Sequence, residues 1–510
     1  MRGARSWGAG LRRFFVILAF YVTQKCFQQM GDNLKQRTIG AIKWSAFDRF
    51  GQQAIQFVIG LILARWFFSS FDYGQLGSIA VFSALAFILV ESGFTQALIR
   101  KQDADEIDFS TVFFFNVFIA IAIYAILFAA MPLIAAYFKE PELIVLGRTL
   151  FIVIILTSLY LVPIAKLTKK MDFRSIALIN LTAVLVSSVV ALIMAFNGVK
   201  VWTLVVQQIV FHFVRLIGYY AVLKWIPRVI FKFQIIKGFS RFSFNLLFTS
   251  FLNVIFNNLF VFILGRKSMQ EVGNYTYANK LNETTNYTFQ SILNSSSYPV
   301  FAKVQNDDER FRRIYREFAR KISIITFPVI LTLIAIAQPL ILVLLSDKWA
   351  AAIPYYQLLC ASSIFATLYT LTISALNARG RSKETFQIEL IKKSIILIAI
   401  AVCFQFGVLA MLGGYAFGNI VSYFISVLFL KKEIKHFIRH QITDFILPLI
   451  IGIIIAASCY VLSFIISNIY ILLISQVLLA GILYLFSIKK FYPELIDKAV
   501  DYIKTILKKQ

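Results

Sequence analysis

Apolar runs of about 18 or more residues recur along the whole of this chain, and each is long enough to cross a bilayer as an α-helix. One of them, "WSAFDRFGQQAIQFVIGLILARWF" (44–67), opens with a charge pair and a column of amides. The expected fold class is all-α, a polytopic membrane protein of about fourteen spans. Their expected positions are 42–68, 75–98, 110–136, 143–165, 176–197, 201–224, 240–264, 278–300, 320–345, 353–377, 387–406, 408–430, 444–466 and 469–487. Composition agrees: 59% of residues are apolar and the mean hydropathy is +0.77, too apolar for a soluble enzyme.

Charge falls between the apolar runs. The 51 basic and 25 acidic residues leave a net +26, which on a soluble protein would suggest nucleic acid. Here clusters such as "KLTKKMDFR", "ERFRRIYREFARK", "RGRSK" and "KKEIKHFIR" alternate with short, weakly charged loops. That asymmetry places the basic loops and both termini on the cytoplasmic side, and no partnership with nucleic acid is expected. The longest outer loop is expected at 265–275, so no extracytoplasmic domain is foreseen. Cys26, Cys360, Cys403 and Cys459 lie far apart, and His212, His436 and His440 make no HExxH. Neither a disulfide framework nor a metal or hydrolase centre is expected. Residues 1–29 carry a basic start and a short apolar run, with no small-residue cleavage site after it. Met30 reads as a natural start, and the extension as dispensable.

The chain repeats itself. "ILARWFFSSFDYG" ends the first span and "ILGRKSMQEVGNY" the seventh, with Arg65 and Arg266 in register. The same offset brings "RKQDADEID" close to "KVQNDDER". The expected organisation is a tail (1–37), an N-lobe of spans one to six (38–227), a C-lobe of spans seven to twelve (228–435) and a two-span appendix with its tail (436–510). Six spans per lobe keep both lobes in one orientation, related by a pseudo-two-fold along the membrane normal.

Polar residues recur at helical spacing inside the apolar runs. Span one has Ser45, Arg49, Gln52 and Gln56, with Asp48 alongside; span two has Glu91; span six has Gln208, His212 and Arg215. Span seven has Asn245, Thr249, Asn253 and Asn257; span eight has Asn279, Glu283, Asn286, Gln290 and Asn294. Membrane charge is costly and usually faces a watery interior. A polar cavity lined by spans one, two, seven and eight is therefore expected. Its candidate substrate-binding residues are Arg49, Gln52, Gln56, Glu91, Arg215, Asn253, Asn257, Glu283, Gln290 and Asn294. The blander readings are amides that bond helix to helix, a snorkelling Asp48–Arg49 pair, and interfacial anchors at Arg65, Arg100 and Arg266.

Several stretches together carry a resemblance: "GAIKWSAFDRFGQQAIQFVIGLILAR", "ESGFTQALIRKQDADEIDFSTVFFFN", "LNVIFNNLFVFILGR", "LLSDKW" with "YYQLLC", and "GRSKETFQIELIKK". In that order they resemble the bacterial polysaccharide flippases of the multidrug/oligosaccharidyl-lipid/polysaccharide exporter superfamily. The branch exporting exopolysaccharide, colanic acid and teichuronic acid is the most similar. The resemblance spans about residues 34–430. It implies a transporter in the bacterial cytoplasmic (inner) membrane, not an enzyme. Its substrate would be an undecaprenyl-diphosphate-linked oligosaccharide, moved from the cytoplasmic to the periplasmic leaflet by alternating access. No cofactor is implied; an ion gradient (H+ or Na+) or the membrane potential would drive it, and polysaccharide polymerase or export machinery would be its neighbour. Arg49 and the "ESGF" turn (91–94) match the basic residue and Glu–Gly turn of lipid II flippases. Tyr277 stands where the family often carries arginine, with Lys280 nearby. On the residues themselves, arginine suits a diphosphate and amides suit a glycan. Two other readings stay open: a drug/cation antiporter using Glu91 or Glu283, and a membrane glycan polymerase or ligase, which generally needs a large outer loop.

Overall fold

In the computed structural model, which describes residues 32–91, 93–101, 103–434 and 438–493, the apolar runs are helices, and no strand occurs among the described residues. The expectations for residues 1–29 and for His436 fall outside them. Contacts divide the chain between Tyr277 and Ala278, inside one long helix, and each unit has its own packing.

The first unit begins with α1 (Asp32–Ile62), whose last turn widens into a π-turn at Leu63–Phe67. Span two is α2 (Ser70–Glu91) and α3 (Phe94–Arg100), broken at Gly93, whose φ of 73° is left-handed. That is the turn read from "ESGF", and glycine adopts it without steric cost. Then follow α4 (Glu106–Phe138), α5 (Leu143–Leu150), α6 (Ile152–Lys169), α7 (Phe173–Phe196), α8 (Trp202–Leu223), α9 (Phe233–Asn257) and α10 (Leu259–Gly265). α7 packs on α1 and α8, α6 on α4 and α8, and α9 on α2, α3 and α4. The core gathers Ile79, Ala120, Met131, Ile154 and Val205, all nearly or fully buried.

α11 (Met269–Lys303) runs through the divide. It starts well before the expected span, so most of the loop expected at 265–275 is helix. Its first turns pack on α2 backbone to backbone. A Cβ on Gly273 would meet the Ser70 carbonyl, and one on Gly74 would meet the Met269 carbonyl. Small residues let membrane helices approach this closely, because packing rather than the hydrophobic effect holds them together there.

The second unit continues with α12 (Asp308–Ala335), α13 (Ala337–Leu345), α14 (Ala352–Ser363), α15 (Ala366–Ala378), α16 (Ser382–Cys403), α17 (Val408–Ile434), α18 (Ile438–Leu462) and α19 (Ile469–Phe491). α12 packs chiefly on α18, α14 on α17, and α19 on α13 and α18. An aromatic stack fills the centre: Phe365 lies 5.0 Å from Tyr423, 5.4 Å from Phe327 and 5.4 Å from Phe445, centroid to centroid. The basic stretch 309–319, expected as a loop, is instead the amphipathic first half of α12, with Phe311, Tyr315 and Ala319 fully buried at helical spacing.

Ten segments are long and apolar enough to span a membrane among the described residues. α1, α9 with α10, α11 and α16 are not among the ten. Three of these four are the expected spans one, seven and eight.

The acidic loops of the repeat turn out to be helix caps. Asp105 accepts from the backbone N–H of Asp108 at 2.8 Å, and the Asp108 carboxylate accepts from the N–H of Asp105 at 3.0 Å, a reciprocal capping box. Asp307 caps α12 by accepting from Arg310 N–H at 3.0 Å. Each cap is followed by the same latch. In the first unit Lys166, 7% exposed, lies 2.6 Å from Glu106 and 4.7 Å from the Phe109 ring. In the second, Arg379 lies 2.6 Å from Asp308 and 4.5 Å from the Phe311 ring. Hydrogen bonding from Asp108 N–H is the main cause holding the Asp105 carboxyl below its ordinary value. Its contribution is therefore complete at neutral pH and is lost only as pH falls through that lowered value. Asp105→Ala should destabilise by about 1 kcal/mol. Thermal unfolding of the purified chain should show a loss of about one degree at neutral and mildly acidic pH, with Asp105→Asn close to wild type. An Asp105→Ala chain that melts with wild type at neutral pH would remove the cap's significance.

Candidate functional site: a buried arginine network

A polar network lies among α1, α6, α7 and α8 of the first unit. Its anchor is Asp48, whose carboxylate accepts from Gln52 Nε2 at 2.7 Å and from Asn180 Nδ2 at 3.0 Å. Asn180 returns its carbonyl oxygen to the Tyr219 hydroxyl at 3.1 Å. Gln52 lies one turn beyond Asp48 on α1, so the carboxylate ties α1 to α7, and Asn180 carries the tie on to α8.

Arg215 sits one turn before Tyr219 on α8. Its guanidinium carbon lies 4.8 Å from the Tyr160 ring centre, 5.2 Å from Phe211 and 5.9 Å from Tyr219, an aromatic setting that suits a delocalised cation. Its Nη1 donates to the Tyr160 hydroxyl at 3.3 Å. The Tyr160 oxygen serves there as an acceptor and lies within hydrogen-bonding distance of His212 Nδ1, at 2.6 Å. Thr157 lies 3.0 Å from the same nitrogen, and Phe87 stacks on the ring at 5.9 Å. Arg215 Nε is buried with no hydrogen-bond partner, a costly state for a charged donor. Asp48 is a carboxylate whose field reaches Arg215.

Of the expected site residues, Gln52 and Arg215 belong to this network. Arg49, Gln56 and Glu91 are exposed on the same unit, as are Asn253 and Asn257 on α9. The hydrogen bonds of Asp48 run to Gln52 and Asn180. Adjacent residues on a helix point about 100° apart and do not face each other, whereas residues four apart do. In the second unit the span-eight stripe divides between two faces of α11. Asn286 donates to Ser363 Oγ at 2.7 Å and to Asn282 Oδ1 at 3.1 Å, binding α11 to α14. Asn279 donates to the exposed Glu283 at 2.9 Å. Gln290 is half-buried, and the side chain of Asn294 is outside those described. Tyr277 is buried, donating to the Gly60 carbonyl at 3.1 Å and meeting Tyr73 edge-on at 5.1 Å. In place of an arginine it provides helix packing. Tyr160, Asn180 and Tyr219 escaped the sequence reading, although Tyr219 follows Arg215 by one turn; the His212–Arg215 and Asp48–Gln52 spacings signalled the place.

The fold and this network define a multi-pass helical membrane protein with an arginine set among aromatic rings in one helical unit. Residues 62–354 match the family described as "Polysaccharide biosynthesis protein", and the chain belongs to it. It is 28% identical over 353 residues to the succinoglycan biosynthesis transport protein ExoT of Rhizobium meliloti, covering 69% of this chain and 71% of that one. It is 25% identical over 409 residues to the lipopolysaccharide biosynthesis protein WzxC of Escherichia coli, covering 78% and 82%. In fold it is similar to the lipid II flippase MurJ in an inward closed conformation, with a TM-score of 0.70, 18% identity, and coverage of 89% of this chain and 100% of MurJ. It is also similar to an inward-facing multidrug resistance transporter of the MATE family, with a TM-score of 0.59, 13% identity, and coverage of 82% and 98%.

Proposed function

We propose that this chain is a flippase for a lipid-linked oligosaccharide, carrying an undecaprenyl-diphosphate-linked repeat unit from the cytoplasmic to the periplasmic leaflet of the bacterial cytoplasmic membrane, with both termini cytoplasmic. The observation that carries the reading is Arg215: a permanent cation set among hydroxyls and aromatic rings, with a buried donor left over, in a chain of the polysaccharide biosynthesis family. Such a group matches an anionic diphosphate, which guanidinium binds through two N–H groups at once. Arg49, exposed on α1, is the first contact for the incoming headgroup. The exposed amides Gln56, Asn253 and Asn257 meet hydroxyls of the glycan. Moving the substrate makes and breaks no covalent bond. An ion gradient or the membrane potential supplies the energy through alternating access, and the product passes to polymerisation and export machinery.

The test is export. In a bacterial strain lacking its own polysaccharide flippase, the full chain should restore surface polymer. In inverted membrane vesicles it should move a fluorescent undecaprenyl-diphosphate-linked oligosaccharide out of reach of an external quencher. A chain inserted at normal levels that moves no such lipid, but expels cationic dyes, would replace this reading by a drug/cation antiporter.

A further inference from the structure

A second basic feature lies in the other unit. The first half of α12 and the end of α19 enclose a cleft of about 670 Å³, lined by five basic side chains, Arg312, Arg313, Arg316, Arg320 and Lys321, against two acidic ones, Glu309 and Glu317. Behind it stands Asp444 of α18, with a side chain 0% exposed. Arg316 grips Asp444 with two bonds, Nε at 2.8 Å and Nη2 at 2.9 Å, and Arg320 Nη2 adds a third at 3.3 Å. Arg312 donates its Nε to the Ile434 carbonyl at 2.8 Å. One buried carboxylate thus fixes two arginines of the wall, and a backbone carbonyl fixes a third. Counting Asp444, cations outnumber anions by two. Arg313 and Lys321 are exposed at the cleft.

The cleft lies where polar helix surface gives way to apolar surface. Its wall changes from Lys321 to Ile324 within one turn of α12. Tyr492 and Phe491 line it at the end of α19, and tyrosine is the kind of residue that settles at a bilayer interface. Directly before it on α19, Ile482, Leu485 and Phe486 are 64%, 63% and 61% exposed. An anion bound among the arginines would lie beside bare apolar surface suited to acyl chains.

We propose that this cleft is a binding site for the phosphate-bearing headgroup of an anionic membrane lipid, separate from the arginine network of the first unit. Preorganised arginines bind phosphate oxygens strongly, and a basic pocket beside membrane helices is the usual form of headgroup recognition. The chemistry recognised is phosphate, and the adjoining apolar face of α19 assigns it to a lipid rather than to a soluble anion.

The experiment uses the purified full chain, with native mass spectrometry during titration with phosphatidylglycerol, and phosphatidylcholine as control. Wild type should retain phosphatidylglycerol saturably and not phosphatidylcholine. Arg313→Gln combined with Lys321→Gln removes two exposed cations and spares the Asp444 ties, so its melting temperature should match wild type. Its affinity for phosphatidylglycerol should fall about 30-fold, while Arg313→Lys combined with Lys321→Arg keeps it. Retention by the Gln variant equal to wild type, or equal retention of phosphatidylcholine, would overturn the proposal. So would inorganic phosphate that displaces the lipid at similar concentration, since that would make the cleft a soluble-anion site. Transport by the first-unit network plays no part in this readout.

Discussion

Arg215→Ala is expected to abolish polymer export, and its loss should not be repaired by removing the charge that opposes it. Losing two charge-assisted hydrogen bonds to a bound anion costs about 3 kcal/mol or more, enough to reduce transport that depends on them by about two orders of magnitude. Two roles are open to the residue. It could simply neutralise Asp48, or it could meet the substrate anion. Asp48→Asn separates them, because asparagine fills the same space and its carbonyl can still accept from Gln52 or Asn180. If Arg215 only balances Asp48, the double variant Arg215→Ala/Asp48→Asn should export again. If Arg215 receives the diphosphate, the double variant stays inactive at normal membrane level. Arg215→Lys keeps the charge but gives up the planar fork and the stacking on Tyr160; it should retain only a small part of export. Polymer yield normalised to protein in the membrane is the measurement. Recovery in the double variant would reduce Arg215 to a structural counter-charge.

The second large effect is expected at Arg49. It is exposed on α1, one residue from the Asp48 anchor, and on the proposed reading it takes the headgroup before Arg215 does. A diphosphate site should weaken with Arg49→Lys and weaken further with Arg49→Ala, by about tenfold or more, since charge-assisted bidentate bonds are stronger than a point charge. An interfacial anchor would tolerate lysine. Full export by Arg49→Ala at normal membrane level would dismiss the role. Lysine equal to wild type with alanine inactive would leave charge necessary and the bidentate geometry unsupported.

The helical membrane fold was legible because its signal is local: an apolar run long enough to cross a bilayer can satisfy its backbone only within itself, so length and hydropathy already decide it. Helix ends were less legible. The acidic loops at 102–108 and 305–309 read as charge until the structure showed Asp105 and Asp307 capping α4 and α12. The reciprocal Asp105–Asp108 spacing was the available clue. The break at Gly93 was legible for a similar reason, since glycine there serves a left-handed turn. The stretch 309–319 misled because its charge suggested a loop, while the buried Phe311, Tyr315 and Ala319 spaced four apart already described a helix face.

The site divides along the same line. The sequence by itself determined which helices are two-faced, because residues three and four apart must share a face, and so it placed His212 with Arg215 and Gln52 near Asp48. Which face meets which helix depends on partners far away in the chain. Asp48 finds Asn180 across 132 positions, and Arg215 finds Tyr160 across 55. In a membrane an isolated asparagine or tyrosine carries no periodic signal, and its bonding is satisfied only when neighbouring helices pack. Tertiary structure alone therefore decided that Asp48 joins α7, that Asn286 fastens α11 to Ser363 of α14, and that one buried carboxylate, Asp444, holds Arg316 and Arg320, 128 and 124 positions away in the chain.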